Sequence, residues 1–288
     1  MLDCIIVGSG TAGISAALTL KANAKNFMLF GSSALSEKIE KAEKIRNYPG
    51  LSNVSGKQFV KALQKQLKDG DIQIHNQRVT GVYALGDKFS VLTDDGKAYE
   101  SRTVIIACGV EGVKQIDGEQ EYIGRGVSYC ATCDGFLYKN KTLGVVCTSK
   151  RLEHEIGYLA DIAKQVYLVA MYKDVEISRE NITVIKKMPK KLDGGKRVEK
   201  LVFAAPPADG LTAEIPVDGV FMLRESVSPA VLVGGLEMQD GHVVIARDTS
   251  TNLRGCFAAG DCTGRPYQYA KAVGEGNIAA HAVSEYLK

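Results

Sequence analysis

The opening of the chain narrows its fold more than any other stretch. An apolar run from Leu2 to Val7 leads into Gly8-Ser9-Gly10-Thr11-Ala12-Gly13, and the small residues Ile14-Ser15-Ala16-Ala17-Leu18 follow. A GxGxxG loop between a strand and a helix specifies a βαβ unit with a site for a diphosphate. Gly8 permits the tight turn, Gly10 lets the diphosphate approach the backbone, and Gly13 lets helix and strand close together. The helix N-terminus then faces the negative charge. Phe27-Met28-Leu29-Phe30 reads as the next buried strand. The acidic residue that would grip an adenosine ribose at its end is missing, because Gly31-Ser32-Ser33 follows. A plain NAD site is therefore not implied.

The same pattern returns further on. A strand starts at Thr142, Leu152 to Ala163 reads as a helix, and Val166 to Val169 as the next strand; Val198 to Ala205 and Gly219 to Leu223 also read as strands. Between the two repeats, Ile72 to His75, Phe89 to Thr93 and Val104 to Cys108 are short strands with turns at Gly86-Asp87 and Asp94-Asp95-Gly96, which suggests a small antiparallel insertion before Val104 to Gly109 returns to the central sheet. The chain crosses back between Ser228-Pro229 and Gly234-Gly235, then rebuilds the first unit with a buried strand, Cys256 to Ala259, ended by Gly260-Asp261, and a helix from Ala270. The fold class expected is α/β, with two Rossmann-like three-layer βαβ domains, the second inserted into the first. Residues 1–112 and 237–288 form the first domain and 113–236 the insert, with Gly112 and Gly234-Gly235 as hinges.

Two of the seven cysteines are spaced for redox work: Cys130-Ala131-Thr132-Cys133, followed by Asp134-Gly135. A pair three positions apart forms and breaks one disulfide readily. An odd total, with the other five cysteines in apolar surroundings, argues against a secreted disulfide framework. A zinc ribbon needs a second CxxC, and none exists, so no metal is expected. No run approaches the roughly 20 apolar residues of a membrane span, and the first strand begins at Leu2, so a cytoplasmic protein without membrane contact is expected. A net charge of +3 is too small for a nucleic-acid protein. Lys186 to Lys200 is locally basic, reading either as a solvated hairpin with lysine-protected edges or as a landing surface for an acidic partner.

Taken in order, the GxGxxG loop, Asn47-Tyr48-Pro49-Gly50, Cys-Ala-Thr-Cys-Asp-Gly in the insert, and a late Gly-Asp followed by Gln268 resemble the small homodimeric bacterial thioredoxin reductases across nearly the whole chain. The resemblance implies that Gly8, Gly10 and Gly13 cradle the diphosphate of FAD, that Asp261 binds its ribityl chain, and that Asn47 and Gln268 hydrogen-bond the flavin ring. Ser9, Thr11, Ala12, Ala107, Gly109, Gly260, Tyr269 and Ala270 complete that site. It also implies that Cys133 faces the flavin, Cys130 attacks the partner's disulfide, and Asp134 relays the proton.

The chain departs from that family in the second domain. Cys147, Thr148 and Ser149 stand at the three glycine positions of the NADPH loop, Ala170, Met171 and Tyr172 where His-Arg-Arg would read the 2′-phosphate, and Leu223-Arg224-Glu225 at an apolar strand end with glycine. Side chains crowd the diphosphate and its cationic partners are gone, so NADPH is not expected to bind usefully. Beside the flavin, Tyr267 replaces an arginine, and with Tyr269 it either covers a ring face or packs at a dimer interface. These departures resemble the ferredoxin-dependent flavin thioredoxin reductases. Ferredoxin is then the expected donor and thioredoxin the acceptor, in a homodimer. The alternatives are a dithiol oxidase passing electrons through FAD to oxygen, a reductase using NAD(P)H in an altered mode, and a flavin-bearing protein whose cysteines no longer turn over.

Overall fold

The computed structural model describes residues 1–35, 37–40, 42–110, 116–208, 210–224 and 228–288. The chain divides into two compact units, Met1–Thr93 with Lys97–Glu111 and Ser226–Lys288, and Asp94–Gly96 with Gly112–Glu225. The return to the first unit thus comes earlier than the 236–237 boundary expected from sequence. Leu232, Val233 and Leu236 explain why: they are buried in the first unit's core beside Val79, Val82 and Val91, and Val233 bridges to Val82. Gly112 lies outside the described residues.

The first unit is built on a seven-stranded sheet in the order Ile74–His75, Phe27–Phe30, Leu2–Val7, Ala98–Ile106, Lys88–Thr93, Val79–Leu85, with Cys256–Ala258 also paired to Ala98–Ile106. Leu2–Val7 runs parallel to Phe27–Phe30 and to Ala98–Ile106. The antiparallel strands expected as a separate insertion instead extend this sheet. The long Ala98–Ile106 strand makes that possible: its start pairs antiparallel with Lys88–Thr93, and Ser101 onward pairs parallel with Leu2–Val7. Ile5, Ile6, Ile105 and Ile106 are fully buried in the sheet's centre, each stabilising the fold by about 2 kcal/mol.

Two helices cover one face near the glycine loop. Thr11–Ala22 is tied to Tyr269–Tyr286 by a hydrogen bond from Ser15 Oγ to the Val273 carbonyl, 2.7 Å. A third helix, Gly56–Asp69, was not anticipated from sequence. Its start is a capping box in which Ser55 and Gln58 satisfy each other's backbone N–H groups, and Phe59, Val60, Leu63 and Leu67 face the core.

The second unit carries an all-parallel five-stranded sheet in the order Ile182–Ile185, Gln165–Ala170, Thr142–Cys147, Gly219–Leu223, Val127–Ser128. The helix Glu153–Ile162 buries Ile156, Leu159 and Ala160. The strand expected over 198–205 shortens to Lys200–Val202, the middle of a small antiparallel sheet with Lys191–Asp193 and Glu214–Pro216. Part of the charge in this hairpin is paired within it: Lys191 and Lys200 lie 3.2 and 3.6 Å from Asp193, and Lys200 is 2.8 Å from Glu214. Among the described residues no helix is long and apolar enough to cross a membrane.

Candidate functional site

In the first unit, three segments leave adjacent parallel strands at the same sheet edge: Gly8 to Gly13 after Leu2–Val7, Ala107 to Gly109 after Ala98–Ile106, and Ala259 to Asp261 after Cys256–Ala258. Parallel α/β sheets bind ligands at this edge. Gly8 has φ +114°, and a β-carbon there would strike the Ala107 carbonyl. A β-carbon on Gly13 would strike the Gly8 carbonyl oxygen. Glycine is therefore required at both positions for the helix to sit this close to the strand. Gly10 is the N-cap and makes no side-chain cap, and the helix has no acidic residue in its first turn. The N–H groups of Thr11, Ala12 and Gly13 open the helix, a setting that suits a diphosphate. Ser9 Oγ is held by the Ser32 carbonyl at 2.9 Å.

The remaining cradle residues are fixed from the C-terminal helix. Lys271 Nζ donates to the carbonyls of Gly260 and Gly264 at 2.7 and 2.8 Å and to Thr263 Oγ1 at 2.7 Å. Glu275 accepts from the Gly260 N–H at 2.8 Å and from Thr263 Oγ1 at 2.7 Å. The loop carrying the half-buried Asp261 is thereby pinned at both ends. Asn47 and Gln268, 221 positions apart, hydrogen-bond each other at 2.5 Å. Tyr269 packs edge-on against Phe59, centroids 5.6 Å apart, and Ala270 is exposed. Tyr267 is 41% exposed and its hydroxyl lies 2.6 Å from His242 Nε2. A glycine cradle, an uncapped helix start and two paired amides, one of them at the start of the C-terminal helix, fit a flavin dinucleotide.

In the second unit, Cys130 and Cys133 form a disulfide. Cys130 is buried at 5% exposure and caps the short helix Ala131–Asp134, its Sγ accepting from the Cys133 N–H at 3.2 Å. Ser128 Oγ donates to Asp134 Oδ2 at 2.6 Å and accepts from the Cys130 N–H at 3.1 Å, so Asp134 is connected to the dithiol loop through one hydroxyl. Phe136 and Leu137, just beyond, are 64% and 62% exposed. The other cysteines suit this chemistry poorly. Burial pushes the Cys4 and Cys256 thiols up to about 12, and Cys108 is also held up, first by the Cys262 thiol beside it and then by burial. They stay protonated where a nucleophile must be a thiolate.

The corresponding edge of the second unit carries side chains in place of glycines. The Thr148 N–H bonds to the Leu223 carbonyl at 3.1 Å, as the Gly8 N–H does to the Phe30 carbonyl at 2.8 Å, but here Cys147 Sγ donates to the Ser149 carbonyl at 3.2 Å and Ser149 Oγ accepts from the Arg151 N–H at 3.3 Å. Two carboxylates, Glu153 and Glu155, occupy the first turn of the following helix, the position where a phosphate would need positive potential. Glu153 accepts from the Tyr172 hydroxyl at 2.8 Å and from the Glu176 N–H at 3.0 Å; burial and this carboxylate raise the Tyr172 phenol. Ala170 is buried and Met171 is 41% exposed. Arg224 is buried against Glu119, Nη2 to Oε2 2.8 Å; Glu225 lies outside the described residues. Glu119 and Tyr129 had no sequence signal pointing to them: the bond from Arg224 to Glu119 spans 105 positions, and Tyr129 joins through the same carboxylate.

Residues 2–276 match the pyridine nucleotide-disulphide oxidoreductase family. A solved ferredoxin-flavin thioredoxin reductase from Clostridium acetobutylicum is 42% identical, with a TM-score of 0.92 over 99% of this chain and 98% of that one. A thioredoxin reductase from Gloeobacter violaceus is 27% identical, with a TM-score of 0.80 over 99% and 94%. A thioredoxin reductase of Helicobacter pylori is 33% identical over 100% of this chain and 99% of its own. The chain therefore belongs to the pyridine nucleotide-disulphide oxidoreductase family, among the thioredoxin reductase homologues.

Proposed function

We propose that this chain reduces thioredoxin through Cys130–Cys133, with FAD in the first-unit cradle and reduced ferredoxin, in place of NADPH, as the electron source. The observation that carries the reading is the contrast between a glycine cradle under an uncapped helix start in one unit and, in the other, side chains at the same strand end with two carboxylates in the helix's first turn. The 42% identity to a ferredoxin-flavin thioredoxin reductase supports the donor.

Bound in the cradle, FAD would accept electrons singly and deliver them in pairs. The chain's own part follows from the dithiol loop. Two electrons and two protons open the Cys130–Cys133 bond to two thiols, and Asp134, tied to Ser128, is the group placed to hold one proton. Cys130 is suited to attack because an N–H already points at its sulfur, which favours the thiolate. Its sulfur displaces one thiolate from thioredoxin's disulfide. Cys133 then attacks Cys130, re-forming the bond and releasing thioredoxin with two thiols. The exposed Phe136 and Leu137 offer an apolar platform for that partner.

The test is one anaerobic discharge: flavin-loaded protein is reduced with dithionite, excess reductant is removed, and oxidised thioredoxin is added. Thiol trapping should show two thioredoxin disulfides opened per flavin, because the reduced flavin and the Cys130–Cys133 dithiol hold two electrons each, and none with Cys130→Ser or Cys133→Ser, both still yellow. Full transfer by either variant would overturn the cysteine assignment.

A further inference from the structure

Behind the dithiol lies a buried network that the steps above do not use, and its role rests on Cys130–Cys133 being the redox pair. Glu119, Tyr129 and Arg224 are 0%, 5% and 1% exposed. The Glu119 carboxylate accepts from Arg224 Nη2 at 2.8 Å, from the Ile116 N–H at 2.9 Å, and from the Tyr129 hydroxyl. Tyr129 sits between Ser128 and Cys130, directly after the Val127–Ser128 strand. Successive side chains on extended backbone point to opposite sides. Ser128 joins the Asp134 and Cys130 side of the loop, and Tyr129 joins Glu119. Two hydrogen-bonded networks thus grip three consecutive residues. Arg224 follows Gly219–Leu223, the strand paired with Val127–Ser128, so the ion pair anchors the approach to Cys130 on the sheet itself.

A buried ion pair is a weak source of net stability, since apolar side chains of equal volume often serve as well. We propose that Glu119, Tyr129 and Arg224 are positioning residues that hold Cys130 in bonding register with Cys133 and thereby set the reducing strength of the dithiol. A fixed Cys130 raises the frequency with which the two thiols meet and so favours the closed disulfide. When the disulfide closes, two electrons and two protons pass to the partner's disulfide, which opens to two thiols. The more the closed form is favoured, the stronger the reductant.

Tyr129→Phe removes one hydroxyl and little else. Tyr122→Phe is its matched control, because Tyr122 is also buried, at 4% exposure, and its hydroxyl donates to the Gly194 carbonyl at 2.7 Å instead of to Glu119. Flavin-loaded proteins are equilibrated in dithiothreitol redox buffers, the Cys130–Cys133 state is read by thiol trapping, and thermal midpoints are recorded alongside. Both variants should melt earlier, and Tyr129→Phe alone should move the equilibrium about tenfold toward the open dithiol, about 30 mV. Should Tyr129→Phe fail to fold, Arg224→Lys keeps the charge, loses the guanidinium geometry and should shift the equilibrium the same way. Equal equilibria in all proteins, or equal shifts in Tyr129→Phe and Tyr122→Phe, overturn the positioning role. A Cys130–Cys133 bond in the unaltered protein that never opens in dithiothreitol would instead overturn the redox reading beneath it.

Discussion

The two units carry the same parallel-sheet plan and treat its carboxyl edge in opposite ways. In the first, the strand ends run into glycines, and the helix Thr11–Ala22 starts without a cap or an acidic residue. In the second, the Ser149 hydroxyl takes the Arg151 N–H, and the helix Glu153–Ile162 starts with two carboxylates. The scaffold is therefore neutral about its ligand. Which N–H groups are left open, and which charges stand beside them, decides whether an anion is welcomed or refused.

That contrast can be broken from either side. The largest effect is expected in the first unit: Gly13→Val forces a side chain against the Gly8 carbonyl, costs about 1–3 kcal/mol or more of local packing, and should yield protein purified without its yellow flavin. Full flavin content by absorbance would remove Gly13 from the cradle. In the second unit, Glu153→Gln removes one carboxylate from the helix start. The repulsion relieved is about 0.3–1 kcal/mol, so NADPH affinity measured by calorimetry should gain less than about tenfold and stay far from useful. Tight NADPH binding by this single variant would show that charge alone, and not the filled edge, excludes the nucleotide.

A third effect separates the first unit's buried thiols from the second unit's redox pair. Cys4 and Cys256 are pushed up to about 12 by burial, against about 8.5 in an unfolded chain. The native state keeps protons that the unfolded chain loses. Their contribution is thus intact below about pH 8.5 and is lost as pH rises toward 12, by up to about 1.4 kcal/mol per pH unit for each thiol. Denaturant titrations from pH 8 to 10 should show this decline, and Cys4→Ala combined with Cys256→Ala should flatten it. An unchanged slope would assign the decline to other groups.

Much of this was legible in the sequence wherever the signal is local. Gly8 to Gly13 and Cys130 to Cys133 declare themselves within six residues, and the strands Leu2–Val7, Phe27–Phe30 and Gly219–Leu223 match the apolar runs that announce them. The Gly56–Asp69 helix is also readable, from Ser55 and Gln58 and the spacing of Phe59, Leu63 and Leu67. What could not be read was pairing over distance. Arg224, at a strand end, finds Glu119 across 105 positions, and Tyr129 joins the same carboxylate; the Ser228–Leu236 segment, read as the crossing between units, packs its apolar residues near Val82 in the first.

The central claim is that the second unit has given up the pyridine nucleotide and that electrons enter from a protein carrier. It is tested most directly by mixing FAD-loaded protein anaerobically with NADPH, with NADH, or with reduced ferredoxin, thioredoxin being present, and following flavin absorbance. Bleaching by ferredoxin together with thioredoxin reduction, and no bleaching by either nucleotide, is the expected result; rapid bleaching by NADPH would contradict it.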